Sequence, residues 1–168
     1  MKKIGVLSDT HGYLHPDTYS FFSKCDEIWH AGDIGNSDIL DELSLIAPVK
    51  AVYGNCDDWG VRSLTSELLV FPCEKHKVAL MHIVGYPGKY QPRALEIISQ
   101  EAPTILVAGH SHILRVMNDA THHLLFINPG AGGRYGIHTR LTFLRFDVDG
   151  EKISNLEVYD TPKSVRNE

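Results

Sequence analysis

The chain reads IGVLSDTHG over residues 4–12, and this stretch decides how the rest of the sequence is interpreted. A short apolar run leads directly into serine, aspartate, threonine and histidine. An uninterrupted apolar run of this length is typical of a strand that is buried on both faces, as in a parallel sheet. Polar residues that follow such a strand lie at its carboxyl end, where open α/β sheets bind their ligands.

The same arrangement recurs four times further along the chain. The polar segments that follow the later apolar runs are Gly32-Asp33, Gly54-Asn55-Cys56-Asp57, His82 and Gly109-His110-Ser111-His112. Because the carboxyl ends of parallel strands meet at one edge of a sheet, we expect these segments to form a common site. The candidate site residues are Asp9, His11, Asp33, Asn55, His82, His110 and His112.

These seven side chains offer imidazole nitrogens and carboxylate or amide oxygens as metal ligands, and none of them is a cysteine. Such a set suits Mn, Fe, Zn, Co or Ni rather than a structural, cysteine-rich zinc site. Seven side chains exceed what one tetrahedral ion uses, whereas two ions that share a bridging carboxylate use all of them. Two metals about 3.5–4 Å apart are a common device for displacement at phosphorus. The sequence therefore predicts two divalent metal ions, with manganese as the first choice.

The order of the apolar segments predicts the fold class. Strands over 4–7, 27–30 and 49–53 alternate with helices over 16–24 and 37–47, which favours a parallel sheet with crossover helices. The middle of the chain repeats this pattern, and the last third is a run of strands without helices. We therefore predict an α/β fold of two packed mixed sheets, each with a helical outer layer. Residues 1–160 form one domain, and 161–168 form a polar C-terminal tail.

Charge, cysteine content and hydropathy exclude several classes of protein. The 168 residues include 16 basic and 21 acidic side chains, a net charge of −5, which argues against a protein that coats nucleic acid. The three cysteines form no disulfide framework. The N-terminus shows no signal sequence, and no apolar run approaches the ~20 residues of a membrane span. We expect a cytoplasmic protein without a membrane partner, and nucleotides stay open as substrates.

The ordered motifs resemble those of the calcineurin-like metallophosphoesterases. They are Asp9-x-His11, Gly32-Asp33, Gly54-Asn55-x-Asp57, His82 and Gly109-His110-x-His112. The chain length and the Asn128-Pro129-Gly130 turn look most similar to the small, single-domain YfcE-type phosphodiesterases, a subfamily related to the retromer subunit Vps29. The resemblance implies a four-layer α/β/β/α sandwich, the metallo-dependent phosphatase fold. It also implies a dinuclear metal centre at one end of the paired sheets.

The resemblance also implies roles for the individual residues. One ion is held by Asp9, His11, Asp33 and His112, and the other by Asp33, Asn55, His82 and His110, so that Asp33 bridges the two. The implied activity is hydrolysis of P–O bonds by in-line attack of a metal-bridging hydroxide. The substrate is a small phosphodiester or phosphomonoester, with the diester preferred. The candidate catalytic residues are Asn55, Cys56 and His82.

Two positions depart from the family pattern, and several questions stay open. Cys56 stands where relatives often place a histidine that assists the leaving group, and it is either a participant or a small filler. Ile83 follows His82 where relatives usually have glycine. Arg134 either contacts substrate or lies in a solvated loop. The alternative function is a catalytically weak, Vps29-like scaffold that binds other proteins. A homo-oligomer is compatible with the sequence.

Two further residues are expected to support the site without binding metal. His30 is predicted to be a buried packing or orienting residue. Asp57 is predicted to anchor the loop that carries Asn55, or to hydrogen-bond a ligand histidine.

Overall fold

The structure is a computed structural model that describes residues 1–164. This part of the chain contains twelve strands and four helices. The strands are β1 (Lys2–Leu7), β2 (Glu27–His30), β3 (Val49–Ala51), β4 (Leu68–Cys73), β5 (His76–Met81), β6 (Gly85–Tyr86), β7 (Lys89–Tyr90), β8 (Ile105–Val107), β9 (Leu114–Asp119), β10 (Leu124–Pro129), β11 (Arg140–Asp149) and β12 (Lys152–Pro162). The helices are α1 (Asp17–Phe22), α2 (Ser37–Ser44), α3 (Trp59–Arg62) and α4 (Pro92–Glu101).

Two five-stranded mixed sheets organise the molecule. The first has the order β12-β11-β1-β2-β3, and the second has the order β4-β5-β8-β10-β9. The strands β1, β2 and β3 are parallel, and so are β5, β8 and β10, whereas β4, β9, β11 and β12 pair in the antiparallel sense. The predicted class, an α/β fold of two packed mixed sheets, is confirmed.

The inner faces of the two sheets form one hydrophobic core. Strand β1 contributes Ile4 and Val6, because alternate side chains of a strand point to the same face. They pack in one cluster with Trp29 of the first sheet and with Leu80 and Val107 of the second. All five side chains are fully buried.

The outer face of each sheet is covered by helices. Phe22 of α1, Leu43 of α2 and Val61 of α3 are buried in a cluster with residues of the first sheet. Ala94 and Ile97 of α4 are buried in a separate cluster on the second sheet. Three cores therefore separate four layers, as the predicted α/β/β/α sandwich requires.

Some elements differ from the predicted ones. The short helix α3 and the hairpin of β6 and β7 were not predicted, because each is too short to show a hydrophobic period. Strand β12 extends through Pro162, since Thr161 and Pro162 pair with Leu141 and Arg140 of β11. The first residues assigned to the polar tail thus belong to the first sheet. Residues 165–168 of that predicted tail lie outside the described part of the chain.

The helices are all short. The longest in the described residues, α4, has 10 residues, so no helix there is long and apolar enough to cross a bilayer.

The contact between Gly5 and Phe22 yields a prediction about stability. A Cβ atom at Gly5 would lie 2.7 Å from the ring of Phe22, which is fully buried. Gly5→Ala should therefore lower the free energy of unfolding by about 1–3 kcal/mol through overpacking. The control is Gly132→Ala, because a Cβ there meets Ser8 O at 3.5 Å, an ordinary contact. Urea unfolding followed by circular dichroism measures both, and equal stability of the two variants would contradict the packing argument.

Candidate metal centre

Five loops, each following a parallel strand, bring all seven candidate ligands together. Asp9 and His11 follow β1, Asp33 follows β2, and Asn55 follows β3. His82 comes directly after β5, and His110 and His112 follow β8. The carboxyl ends of parallel strands from both sheets therefore meet at one edge of the sandwich, as the sequence pattern predicts.

Asp9, His11 and His112 form the first ligand group. The Nε2 atom of His112 lies 3.2 Å from Asp9 Oδ1. The His11 and His112 rings are 5.9 Å apart, and one donor atom of each of the three residues falls within 4.8 Å of the others. The Nε2 atom of His11 also lies 3.6 Å from Asp33 Oδ2, so Asp33 borders this group.

Asp33, Asn55, His82 and His110 form the second ligand group. The Nε2 atom of His82 lies 3.1 Å from Asp33 Oδ2. The amide oxygen of Asn55 lies 3.1 Å from His82 Nε2 and 3.1 Å from His110 Nδ1. The carboxylate of Asp33 is thus adjacent to His82 on one side and to His11 on the other, which is the position that a bridging ligand needs.

Two buried atoms of the centre have no hydrogen-bond partner in the described part of the chain. They are Asp9 Oδ1 and His11 Nε2. The Nε2 atom of His112 lies 3.2 Å from Asp9 Oδ1 but has no hydrogen to donate when the His112 hydrogen is on Nδ1, facing His138. A buried polar atom without a partner is costly, and such atoms are rare in folded proteins. Both atoms point into the first ligand group, so a cation coordinated there would satisfy them. The donor set therefore fits divalent metal ions with nitrogen and oxygen ligands.

The backbone at five of the seven residues is left-handed. The φ angles are +54° at Asp9, +44° at His11, +53° at Asp33, +70° at His110 and +60° at His112. For residues other than glycine this conformation costs on the order of 1–3 kcal/mol each, and it persists only where the surroundings impose it. Such strain is concentrated at functional sites.

Backbone hydrogen bonds between two loops hold Asp9 and His11 in that conformation. The amides of Asp9 and His11 donate to the carbonyls of Gly32 and Asp33, over 2.9 and 3.0 Å. Gly54 allows the third loop to approach, because a Cβ at this position would lie 2.1 Å from Asp33 Oδ1. A side chain at position 54 would therefore displace the Asp33 carboxylate.

The electrostatics of the centre keep both carboxylates ionised. Burial opposes ionisation of Asp33, but the hydrogen bond from His82 and its charge outweigh burial and lower the Asp33 pKa to about 2. Burial likewise opposes ionisation of Asp9, yet His112, His82 and Ser8 hold its pKa below the usual value. Negative oxygens are therefore present for a cation throughout the neutral range.

A backbone carbonyl fixes the orientation of the His82 ring. Its Nδ1–H donates to Ala31 O over 2.7 Å, which leaves Nε2 directed toward Asp33 and Asn55. A side chain at position 83 does not prevent this arrangement, although relatives usually have glycine there. Ile83 is instead 39% exposed and lines a cavity beside His82.

His138 orients His112, and the sequence did not single it out. The Nε2–H of His138 donates to Gly133 O over 2.7 Å, so its Nδ1 can accept the Nδ1–H of His112 at 3.1 Å. This contact leaves His112 Nε2 available to a cation, as in many metal sites where a second group fixes the imidazole tautomer. His138 lies outside every motif, and only the fold reveals its position.

Cys56 borders the centre through its backbone and its thiol. Its amide donates to Asp33 Oδ1 over 2.9 Å, and its Sγ lies 3.5 Å from Asn55 Nδ2. Burial and the neighbouring Asp33 carboxylate raise the pKa of the Cys56 thiol, so it is protonated at neutral pH. Cys56 also groups with His11 and Asp33 within 4.8 Å.

Asp57 holds two ligand loops at a fixed separation. Its carboxylate accepts hydrogen bonds from the amides of Ile34 and Gly35 in one loop and from Gly54 in the next. The predicted loop anchor is thus present.

Arg134 lies at the surface beside His11. Its guanidinium packs 4.0 Å from the Tyr13 ring and donates to the Tyr13 hydroxyl.

The chain belongs to the calcineurin-like phosphoesterase superfamily, because the profile of that superfamily's domain matches residues 1–151. The resemblance of the motifs is therefore confirmed. A probable metallophosphoesterase from Methanothermobacter thermautotrophicus is 32% identical over 158 residues, which cover 89% of this chain and 88% of that protein.

Two solved structures share the fold. Vps29 of Entamoeba histolytica in complex with zinc has a TM-score of 0.72 at 18% identity, over 96% of this chain and 99% of that chain. A novel archaeal phosphodiesterase has a TM-score of 0.68 at 20% identity, over 94% of this chain and 99% of that one. At these identities the likeness concerns the fold alone, and it agrees with the predicted sandwich.

His30 beneath the centre yields a prediction about pH and stability. It is fully buried, its Nδ1 accepts from the amide of Gly32, and its Nε2 donates to the hydroxyl of Thr10. Burial lowers the His30 pKa to about 4. The unfolded chain binds this proton near pH 6.5, so stability should fall by about 3 kcal/mol as the pH drops from about 6.5 toward 4.

The test compares urea unfolding of the native protein and His30→Gln between pH 7.5 and 4.5, in the presence of chelator. The variant should have a shallower pH dependence, since glutamine does not titrate. His123→Gln, which alters an exposed histidine, is the control and should keep the native slope. Parallel pH profiles for native protein and His30→Gln would refute the assignment.

Proposed function

We propose that the chain is a dimetal-dependent phosphoesterase that hydrolyses phosphodiesters. One observation carries this proposal: two groups of donor atoms meet at the Asp33 carboxylate, and the first contains buried atoms that have no hydrogen-bond partner among residues 1–164. The proposed ligands of one ion are Asp9, His11, Asp33 and His112, and those of the other are Asp33, Asn55, His82 and His110. The superfamily to which the chain belongs supports the reaction class.

The chain's residues would hold the ions and shape their surroundings. Two divalent ions, when bound, lower the pKa of water and neutralise the charge that develops on the phosphoryl oxygens. Asp33 lies in position to join the two groups, and Asn55 is within 3.1 Å of both His82 and His110. The hydrogen bond from His82 to Ala31 O, and that from His112 to His138, keep the Nε2 atoms facing inward.

The reaction is an in-line displacement without a covalent enzyme intermediate. A water oxygen bonds to phosphorus while the bond to the leaving ester oxygen breaks, and the leaving oxygen takes up a proton. The Cys56 thiol is a weak acid at this point, because burial and the Asp33 carboxylate raise its pKa. The proposal thus includes weak assistance to the leaving group, with Asn55, Cys56 and His82 as the residues nearest the reacting atoms.

Manganese is the proposed metal, with zinc, iron, nickel or cobalt able to use the same donors. Diesters are preferred over monoesters in this proposal, and the archaeal phosphodiesterase of the same fold is consistent with that choice. The catalytic domain is proposed to span residues 1–160, and the protein is proposed to act in the cytoplasm.

The alternative is a scaffold of the Vps29 kind, which would use the fold to bind partner proteins. The Vps29 structures of the same fold support it. The complete donor set argues for the enzyme, because a scaffold has no use for seven converging ligands. Measurable turnover by the metal-loaded protein separates the two functions.

The first prediction from this proposal concerns stoichiometry. Crystals soaked in manganese should show two anomalous peaks about 3.5–4 Å apart beside Asp33. Asp33→Asn should weaken both sites together, because it removes the charge that both groups share. His112→Ala should weaken chiefly the ion beside Asp9. Binding calorimetry with manganese measures the stoichiometry of each variant, and Lys24→Ala on the surface is the control.

A second prediction concerns the position of Cys56. If relatives use histidine there to protonate the leaving oxygen, Cys56→His should raise kcat/KM, and most of all for diesters with poor leaving groups. General-acid assistance is typically worth ~10²–10⁴-fold, and a histidine placed in an unadapted loop should recover part of that. Cys56→Ala should change the rate little if the thiol is a filler.

The measurement is a leaving-group series, with the metal content of each variant determined. A Cys56→His protein that stays fully metallated and gains nothing across the series would overturn the acid-replacement idea. A large loss in Cys56→Ala would mean that the thiol itself takes part in the reaction.

A further inference from the structure

Two cavities open beside the candidate metal centre, and in the described residues they have no lining residue in common. The Ile83 cavity has a volume of about 530 Å³ and borders Asn55 and His82. The Tyr135 cavity has a volume of about 640 Å³ and borders His11. Both volumes are typical of small-molecule sites. Each cavity therefore adjoins a different group of candidate ligands.

The Ile83 cavity has a mainly apolar wall, formed by Met81, Ile83 and Pro92. Three charged residues also line it, namely Arg62, Arg93 and Glu67. Arg93 pairs with Glu96 at 3.3 Å, and the charges of Arg62 and Glu67 are opposite, so the lining has no net charge. The cavity therefore suits an uncharged apolar or planar group.

The Tyr135 cavity has the opposite character. Tyr135 is 66% exposed, and its ring lies 4.8 Å from the His11 ring. Arg134 and Lys163 donate to neutral acceptors, the Tyr13 hydroxyl and Gly136 O, and they supply two positive charges. Among residues 1–164 no carboxylate lies within 4.0 Å of either. On a protein with a net charge of −5, this is a local site for a negative group. A planar ring can stack on Tyr135 beside it.

The two cavities bear on the choice between diesters and monoesters. A phosphomonoester has one organic substituent, whereas a phosphodiester has two, and a centre with a shaped cavity beside each ligand group accommodates both. Because the cavities differ in charge, the two substituents should differ as well. A nucleotide combines the planar ring and the negative charge that the Tyr135 cavity favours.

We propose that the two cavities are subsites for the two substituents of one phosphodiester. The Ile83 cavity takes an uncharged substituent, and the Tyr135 cavity takes a nucleotide-like substituent with further negative charge. This inference rests on the proposed function, and it names the substrate class of the same centre.

The test uses four probes on the manganese-loaded protein. p-Nitrophenyl phosphate is a monoester, and bis(p-nitrophenyl) phosphate is a diester with two uncharged substituents. The p-nitrophenyl ester of thymidine 5′-phosphate adds a nucleoside, and its 3′-phosphorylated form adds a negative group. In the native protein the 3′-phosphate should raise kcat/KM about tenfold, as expected for a charge-assisted hydrogen bond.

The variants separate the two cavities. The ratio of kcat/KM with the 3′-phosphate to kcat/KM without it should fall toward one in Arg134→Ala and in Lys163→Ala. The surface variant Lys24→Ala should keep the native ratio. In Ile83→Ala the ratio of kcat/KM for bis(p-nitrophenyl) phosphate to that for p-nitrophenyl phosphate should fall about three- to tenfold. Leu45→Ala, which shortens an exposed aliphatic side chain outside both cavities, is the control for that ratio.

A binding measurement provides a readout that does not depend on turnover. Calorimetry with thymidine 3′,5′-bisphosphate and chelator-treated protein should show binding that Arg134→Ala weakens about tenfold. Metal-dependent hydrolysis with the same ratios in all variants would overturn the inference and leave the proposed function intact. A fully metallated native protein that hydrolyses none of the four probes would overturn the proposed function, and the inference with it.

Discussion

The contacts of the Asp33 carboxylate are the interactions on which the rest of the centre depends. The carboxylate contacts His82 at 3.1 Å and His11 at 3.6 Å, and it accepts a hydrogen bond from the amide of Cys56. It therefore joins its own loop to loops that follow three other strands, and these strands belong to both sheets. The absence of a side chain at Gly54 is what allows the third loop to approach this carboxylate closely. The paired sheets act as a frame that brings these loops to one edge.

Much of this arrangement could be predicted because it is local in sequence. Each ligand follows a short apolar run, and strands of a parallel sheet deliver such residues to a common edge. The order of the apolar segments predicted two packed sheets, and the family resemblance then supplied the grouping of the candidate ligands. The helices predicted over 16–24 and 37–47 correspond to α1 and α2, and the run of strands without helices in the last third was also predicted.

Other features could not be predicted, since they arise from contacts between distant segments. His138 meets His112 only because the loop after β10 folds back over the centre. The left-handed backbone at Asp9, His11 and Asp33 depends on hydrogen bonds between separate loops, and residue type alone does not predict it. The cavities at Ile83 and Tyr135 likewise depend on how the loops meet. The sequence shows Ile83 only as a departure from the family motif, whereas the structure shows that its exposed side chain lines a cavity.

The strained ligand backbone has a consequence for how such a protein persists in a cell. Five candidate ligand residues have unfavourable φ angles, and two buried polar atoms of the centre have no hydrogen-bond partner within the described chain. Ions bound as proposed would satisfy those atoms and stabilise the folded state by mass action, whereas the unfolded chain has no such site. The abundance of the protein would then follow the supply of metal, because chains without ions open more often and are degraded sooner. Chains loaded with metal would thus persist longer in the cell than chains without it.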